Sequence, residues 1–309
     1  MTPTGKAQWQ IHFCVILWGF TAILGKLITL QALALVWWRM LIVVAALALV
    51  PTVWRGLRAM PLRLIAAYAG IGCLVALHWL TFYAAIKLAN ASVAATCMGV
   101  GPAFLALVEP WLTRKRFDAR ELALGVLVIP GVVLVAGGVP ASMHLGLGVG
   151  ILSALLVALF GALNKRLVEH ADPLTVTGVE LGAGTLLLTV LAPLLPHDGP
   201  LLPLPDLHDL TLLLVLSIGC TLLPYTVALA ALRKLSAFYV QLATNLEPVY
   251  AIALAIVLLG EQRELGLMFY LGVAIILMSV FAHPLLARTG KGVEHAEVLA
   301  IAEAKNVTD

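Results

Sequence analysis

The chain has 309 residues, 62% of them hydrophobic and only 11% charged, with a formal net charge of +3. Soluble domains carry roughly 25% charged residues, so this composition, with a mean hydropathy of +1.04, excludes a soluble domain and points to an all-α integral membrane protein. The basic residues sit in short clusters between apolar runs, which argues against nucleic acid as a partner.

Ten apolar runs follow one another, near 11–29, 33–53, 63–86, 91–113, 120–138, 147–165, 174–194, 209–232, 237–259 and 265–285. Most reach the length of about 20 residues that a helix needs to cross the hydrocarbon core. The first is longer than the usual signal-peptide core and leads into no small-residue cleavage pattern, so it is read as a membrane helix. Connections are short, except for a Pro-rich loop from Pro196 to Asp209 and a polar tail after Arg288. The expected division is a cytoplasmic N-terminus over 1–10, five helices over 11–140, five more over 141–286 and a cytoplasmic tail over 287–309. Cys14, Cys73, Cys97 and Cys220 all lie within apolar runs without ligand spacing, so no disulfide framework, metal or cofactor is expected.

Lysine and arginine in the loops set the orientation. With both termini on one side, that side holds Lys6, Arg55, Arg58, Arg63, Arg114, Lys115, Arg116, Arg120, Lys165, Arg166, Arg233, Lys234, Arg288, Lys291 and Lys305, against Lys26, Lys87 and Arg263 on the other. The excess places both termini in the cytoplasm, and the regular alternation supports an even helix number.

An offset of 147 residues maps Ile218-Gly219-Cys220 onto Ile71-Gly72-Cys73, Lys234-Leu235 onto Lys87-Leu88 and Leu271-Gly272-Val273 onto Leu124-Gly125-Val126. The three matches suggest a duplication. Five helices per unit would invert the second half relative to the first, with a site expected near the midplane between them.

The ordered text Trp18-Gly19, Lys26, Arg39 and ALHWLTFYAAIKLANASVAATCMGVGPAFLALVEPWL, followed in the second half by IGCTLLPYTVALAALRKLSAFYVQLATNLEPVYAIALAIVLLGE and Leu271-Gly272, resembles the EamA family of the drug/metabolite transporter superfamily. That resemblance implies ten transmembrane helices in two inverted five-helix repeats, and alternating-access movement of a small solute, commonly export of amino acids or related metabolites. One departure stands out. The Gly-Glu pair expected after the fourth helix, present after the ninth as Gly260-Glu261, is replaced by LTRKRF.

Polar residues inside the membrane are the candidates for function. A charge at the helix centre costs about 2.5 to 3.5 kcal/mol on insertion scales unless it faces protein or water. Glu247 would bind a proton as water enters and leaves, or else fix helix packing. Gln241, Thr244 and Asn245 lie on nearby turns and would serve a polar solute or hydrogen-bond between helices. Arg39 and Glu180 fall at equivalent depths of the two second helices, where they would mark two ends of one pathway. Arg39 suits a carboxylate or phosphate, with snorkelling beside Trp37 and Trp38 as the alternative. His78 would titrate and Trp79 stack on a solute, or both would simply pack. Gly101, Pro102 and Pro248 interrupt the fourth and ninth helices and are read as hinges.

Glu109 would pair with Arg114 and Arg116, Lys26 would be an exposed anchor or else a gate, and Asn164 and Lys165 would be interface residues. Gly146 with Gly150 and Gly178 with Gly182 have the spacing that lets helices approach closely, read first as packing within one chain, with the protein a monomer or homodimer. The sequence has no H-E-x-x-H helix, G-x-S-x-G elbow or P-loop. The resulting expectation is no enzyme but an exporter with its cavity lined by the third, fourth, eighth and ninth helices, its partners being a small solute, protons in the coupled case, and the bilayer. An uncoupled facilitator or channel and a lipid-modifying enzyme are the alternatives.

Overall fold

A computed structural model describes residues 3–113, 117, 119–195, 199–244 and 246–278. The tail from 287 therefore lies outside the described residues, as do Asn245, Arg114 and Arg116.

The described chain is helical, as lipid requires, because a backbone that closes its own hydrogen bonds leaves no unpaired polar group in hydrocarbon. In order come α1 (Pro3–Leu27), α2 (Ala32–Ala48), α3 (Pro51–Ala59), α4 (Leu62–Leu88), α5 (Ala91–Met98), α6 (Gly101–Thr113), α7 (Ala119–Val126) and α8 (Ile129–Gly138). The second half holds α9 (His144–Leu167), α10 (Pro173–Leu191), α11 (Leu207–Leu214), α12 (Leu223–Leu232), α13 (Ala237–Thr244), α14 (Glu247–Leu254) and α15 (Leu267–Met278). Among the described residues, six helices are long and apolar enough to span a bilayer, and a seventh counts if α2 and α3 are taken together across their 90° bend. The bend shortens the second apolar run: Pro51 starts a new helix, where a missing N–H is harmless.

Four of the sequence runs are broken or distorted. The fourth is split between α5 and α6 at Gly99-Val100, and the ninth between α13 and α14, with Pro102 and Pro248 each beginning the second piece. The fifth breaks between α7 and α8. The eighth is continuous, but a π-helical stretch from Val215 to Leu222 joins α11 to α12.

Helices of one half pack chiefly on helices of the other, and they do so reciprocally. The third apolar run of the chain, α4, lies against α9 and α10, while the third of the second half, α12 with the π-helical stretch before it, lies against α1 and α2. Similarly α5 and α6 pack on α9, and α13 and α14 pack on α1. Small residues permit the tightest crossings. A Cβ on Gly72 of α4 would stand 2.0 Å from the Glu180 carbonyl oxygen of α10, so the two backbones touch there. Gly146 and Gly150 do the same for α9 against Ala89 and Cys97, whereas Gly182 faces open space.

Matching clasps tie loops to helix ends. Lys87, ending α4, donates from Nζ to the Ile28 carbonyl (2.5 Å), and Arg233, just past α12, donates to the Val168 and Ala171 carbonyls. In each half a cation after the third helix satisfies carbonyls beyond the first, where exposed C=O groups favour positive charge. Asp209 accepts from Thr29 N (2.9 Å), Thr29 Oγ1 (2.7 Å) and Leu30 N (3.2 Å), fastening α11 to the α1–α2 loop.

The Gly-Glu pair has a structural role of its own. Gly260 adopts φ +70°, a left-handed stop that a glycine takes without Cβ strain, and this turns the chain back toward α5. Glu261 then accepts from Ala91 N (3.1 Å), Ser92 N (2.9 Å) and Ser92 Oγ (2.7 Å), covering the amides at the start of α5. In the other half, among the described residues, no acid covers the start of α13 in this way, and there Ser236 Oγ accepts locally from Tyr239 N (3.0 Å).

Candidate functional site

A cavity of about 140 Å³ lies between the halves, large enough for ordered water and a small solute. Arg39, His78, Trp79 and Glu247 line it, together with Gln241, Val240, Asn164, Leu232 and Ala237. Those last residues adjoin Lys165, Arg166 and Arg233 in sequence, so the cavity extends toward the basic end of the bundle. Besides the expected third, fourth, eighth and ninth helices, α1 contributes Trp18 and Thr21, α2 contributes Arg39, and α9 contributes Val157, Phe160, Gly161 and Asn164. Reciprocal packing explains the addition, since α1 and α9 are what the third helices lean on.

Arg39 does not snorkel to a surface. It is 3% exposed, and its Nε donates to Thr221 Oγ1 (2.6 Å) and its Nη1 to the Tyr83 hydroxyl (2.8 Å). The guanidinium carbon stands 3.9 Å from the Trp79 ring centroid, a cation–π contact that favours a planar, weakly hydrated cation. The π-helical stretch helps place this network: Thr221 donates to the Leu216 carbonyl (2.6 Å), five residues back, while receiving Arg39. Trp37 and Trp38 instead send their indole N–H groups to Thr189 (2.8 Å) and the Pro203 carbonyl (2.9 Å).

Glu247 opens α14 and is 8% exposed. It lines the same cavity as Arg39, yet among the described residues no ion pair joins the two. The site therefore holds a cation and an acid in one space without direct neutralisation. Gln241 and Thr244 line the same wall, and Gln241 packs on Gly101, whose absent Cβ would lie 2.4 Å from Nε2. Glycine at that break is what lets the amide approach.

His78 is clamped to α9. Ser153 Oγ donates to the His78 carbonyl (2.8 Å), and His78 Nδ1 lies 3.0 Å from the Ser153 carbonyl and 2.8 Å from Oγ. An Nδ1–H donated to that carbonyl leaves Nε2 as an acceptor on a ring set between Phe82 and Phe160.

Glu180 is not part of the cavity wall. It is wholly enclosed, and Tyr225, which does line the cavity, donates its hydroxyl to Oε2 (2.5 Å). Asn164, expected as an interface residue, is 3% exposed and donates to the Tyr225 hydroxyl (3.4 Å). Glu109 is buried, and its expected partners Arg114 and Arg116 lie outside the described residues. Of the sequence candidates, Arg39, His78, Trp79, Gln241, Thr244 and Glu247 converge on one cavity, Glu180 stands behind it, and Asn245 lies outside the described residues. Thr21, Tyr83, Phe160, Thr221 and Tyr225 were not anticipated. Polar groups at similar depth on α1, α4 and α12 were the available signal, but hydroxyls often satisfy their own helix, as Thr81 does on Leu77.

A profile of the EamA-like transporter family matches residues 7–137 and again 144–282. The uncharacterized transporter YxxF of Bacillus subtilis (strain 168) is 25% identical over 200 residues, a match covering 63% of this chain and 62% of that relative's length. A solved crystal structure superposes with a TM-score of 0.64 over 92% of this chain and 99% of its own, at 18% identity, a likeness of fold alone.

Proposed function

The chain belongs to the EamA-like transporter family, within the drug/metabolite transporter superfamily, and from that premise we propose that it exports small metabolites such as amino acids across the inner membrane by alternating access. It is a multi-pass membrane transporter; the solute, the direction and the mechanism are the proposal. Ten membrane helices in two inverted repeats, with both termini cytoplasmic, are the architecture proposed for it. The doubled family match and the reciprocal packing support the repeats, and the charge asymmetry supports the orientation.

The observation that carries the reading is the cavity between the halves, with Arg39 and Glu247 both facing it and not paired. Buried charges without a counter-ion are expensive, and a solute carrying a carboxylate and an amine would supply one to each. The aromatic wall of Trp18, Trp79, Phe82, Phe160 and Tyr225 supplies apolar contact for the solute's body. Proton exchange follows if Glu247 is protonated whenever no cationic group faces it, since the proton and the solute then compete for one carboxylate.

The test is efflux of radiolabelled amino acids and other small metabolites from proteoliposomes, with and without an imposed pH gradient, for the wild type and Glu247→Gln. Gradient-driven flux lost in the variant supports proton exchange at Glu247. Equal, gradient-independent flux in both proteins identifies a facilitator, and no flux for any solute removes the metabolite reading.

A further inference from the structure

We infer that Glu180, Tyr225 and Asn164 form a second proton-binding site, set behind the cavity wall and reached from the cavity through the Tyr225 hydroxyl. Three observations carry it. Glu180 is 0% exposed, its Oε1 has no hydrogen-bond partner, and Oε2 has the Tyr225 hydroxyl at 2.5 Å. Asn164 Oδ1, on the residue that also donates to Tyr225, is buried and unpartnered as well. The third is position: Glu180 sits where α10 crosses α4 in backbone contact at Gly72, on the seam between the halves.

The groups facing Glu180 come from each helix packed around it. From α12 there is Tyr225, from α9 Asn164, and from α4 Tyr68, whose hydroxyl donates to the Leu167 carbonyl (2.7 Å). The cation of α2, Arg39, is taken up by Thr221, Tyr83 and Trp79, and α3 presents Thr175's neighbour Gly56 to α10. Among the described residues, no lysine, arginine or histidine pairs with Glu180. An enclosed carboxylate with no cation beside it would carry an uncompensated charge, whereas the neutral acid leaves only one carboxyl oxygen unpaired. The site therefore holds a proton in this conformation.

Exchange needs no opening of the seam. For release, the Tyr225 hydroxyl first turns to donate to a cavity water and the carboxyl, its proton on Oε2, donates to Tyr225 Oη; the Glu180 proton then passes to Oη while the phenol's own proton passes to the water, so one O–H bond breaks and one forms at Tyr225. A carboxylate and a hydronium result, and uptake is the reverse. Glu247 meets the solute directly, while Glu180 is loaded through a neutral relay and senses the packing of α10 on α4. Its role in coupling rests on the transport reading above; its protonation does not.

Infrared difference spectroscopy of the full chain in proteoliposomes tests the site without any solute. At neutral pH the wild type and Glu247→Gln should both show a neutral-carboxyl C=O band that Glu180→Gln lacks. Tyr225→Phe, which keeps Glu180 and removes its hydrogen bond, should move that band to higher frequency and slow its shift in D2O. If Glu180→Gln fails to fold, the Tyr225→Phe comparison decides alone. An unchanged band and exchange rate in Tyr225→Phe, or loss of the band in Glu247→Gln, overturns the inference. A Glu180 band in a protein that moves no solute would leave the proton site standing while the transport reading fell.

Discussion

Replacing Glu261 by alanine removes the clasp between the end of the ninth helix and the start of α5. The side chain is 3% exposed and accepts three hydrogen bonds, from Ala91 N, Ser92 N and Ser92 Oγ. Hydrogen bonds to a charged group are worth about 1.5–3 kcal/mol each and do not add fully, and two amides are left without a partner, so a net loss of about 3 kcal/mol is expected. The clasp lies at the Lys87 and Arg263 end, away from the basic end toward which the cavity extends. If it holds only while that end is closed, its loss shifts the balance of conformations about 100-fold toward opening there, at tenfold per 1.4 kcal/mol. A membrane-impermeant maleimide, applied from the Lys87 side to proteoliposomes, reads this at Gln241→Cys in a chain whose four native cysteines are replaced by serine. Labelling should be much faster with Glu261→Ala than without it, and Glu261→Gln, which keeps one acceptor, should fall between. Unchanged labelling together with an unchanged unfolding temperature would refute the reasoning, because three buried hydrogen bonds cannot vanish without a trace in either.

Other substitutions probe the same architecture. Arg39→Lys keeps the charge but cannot donate to both Thr221 and Tyr83 from above Trp79, and losing about one net hydrogen bond, about 1 kcal/mol, should lower the unfolding temperature slightly and the solute flux about tenfold. Gly72→Val forces a Cβ to within 2.0 Å of the Glu180 carbonyl, and size-exclusion chromatography should show loss of the folded protein; Gly70→Ala, with nothing within 4 Å, should elute unchanged. Asp209→Asn keeps the side chain's shape but gives up the charge on three hydrogen bonds to Thr29 and Leu30, and should cost about 1–3 kcal/mol in denaturant-unfolding measurements.

Hydropathy was enough to reveal the membrane and the helical content, because lipid demands apolar side chains and a backbone satisfied within each segment, but not the bend at Pro51 or the break between α7 and α8, which lie inside apolar runs. The prolines at 102 and 248 marked the breaks in the fourth and ninth helices for the same local reason, the missing N–H. Glu247 also stood out, since an acid in mid-membrane is costly wherever it points.

Direction was what the sequence withheld. A helix that is apolar on the side facing lipid and on the side facing its neighbours carries no stripe to tell the two apart, so rotation about its axis is set only by packing. That rotation sends Arg39 inward to Tyr83 and Thr221 when its neighbours Trp37 and Trp38 go elsewhere. It also hides Glu180 behind Tyr225, although its depth in the chain matches that of Arg39. Apolar length and backbone chemistry determined the helices one by one; which faces meet across the cavity was decided by the close crossings at glycines such as Gly72, Gly101 and Gly150, where volume fixes register and polarity plays no part.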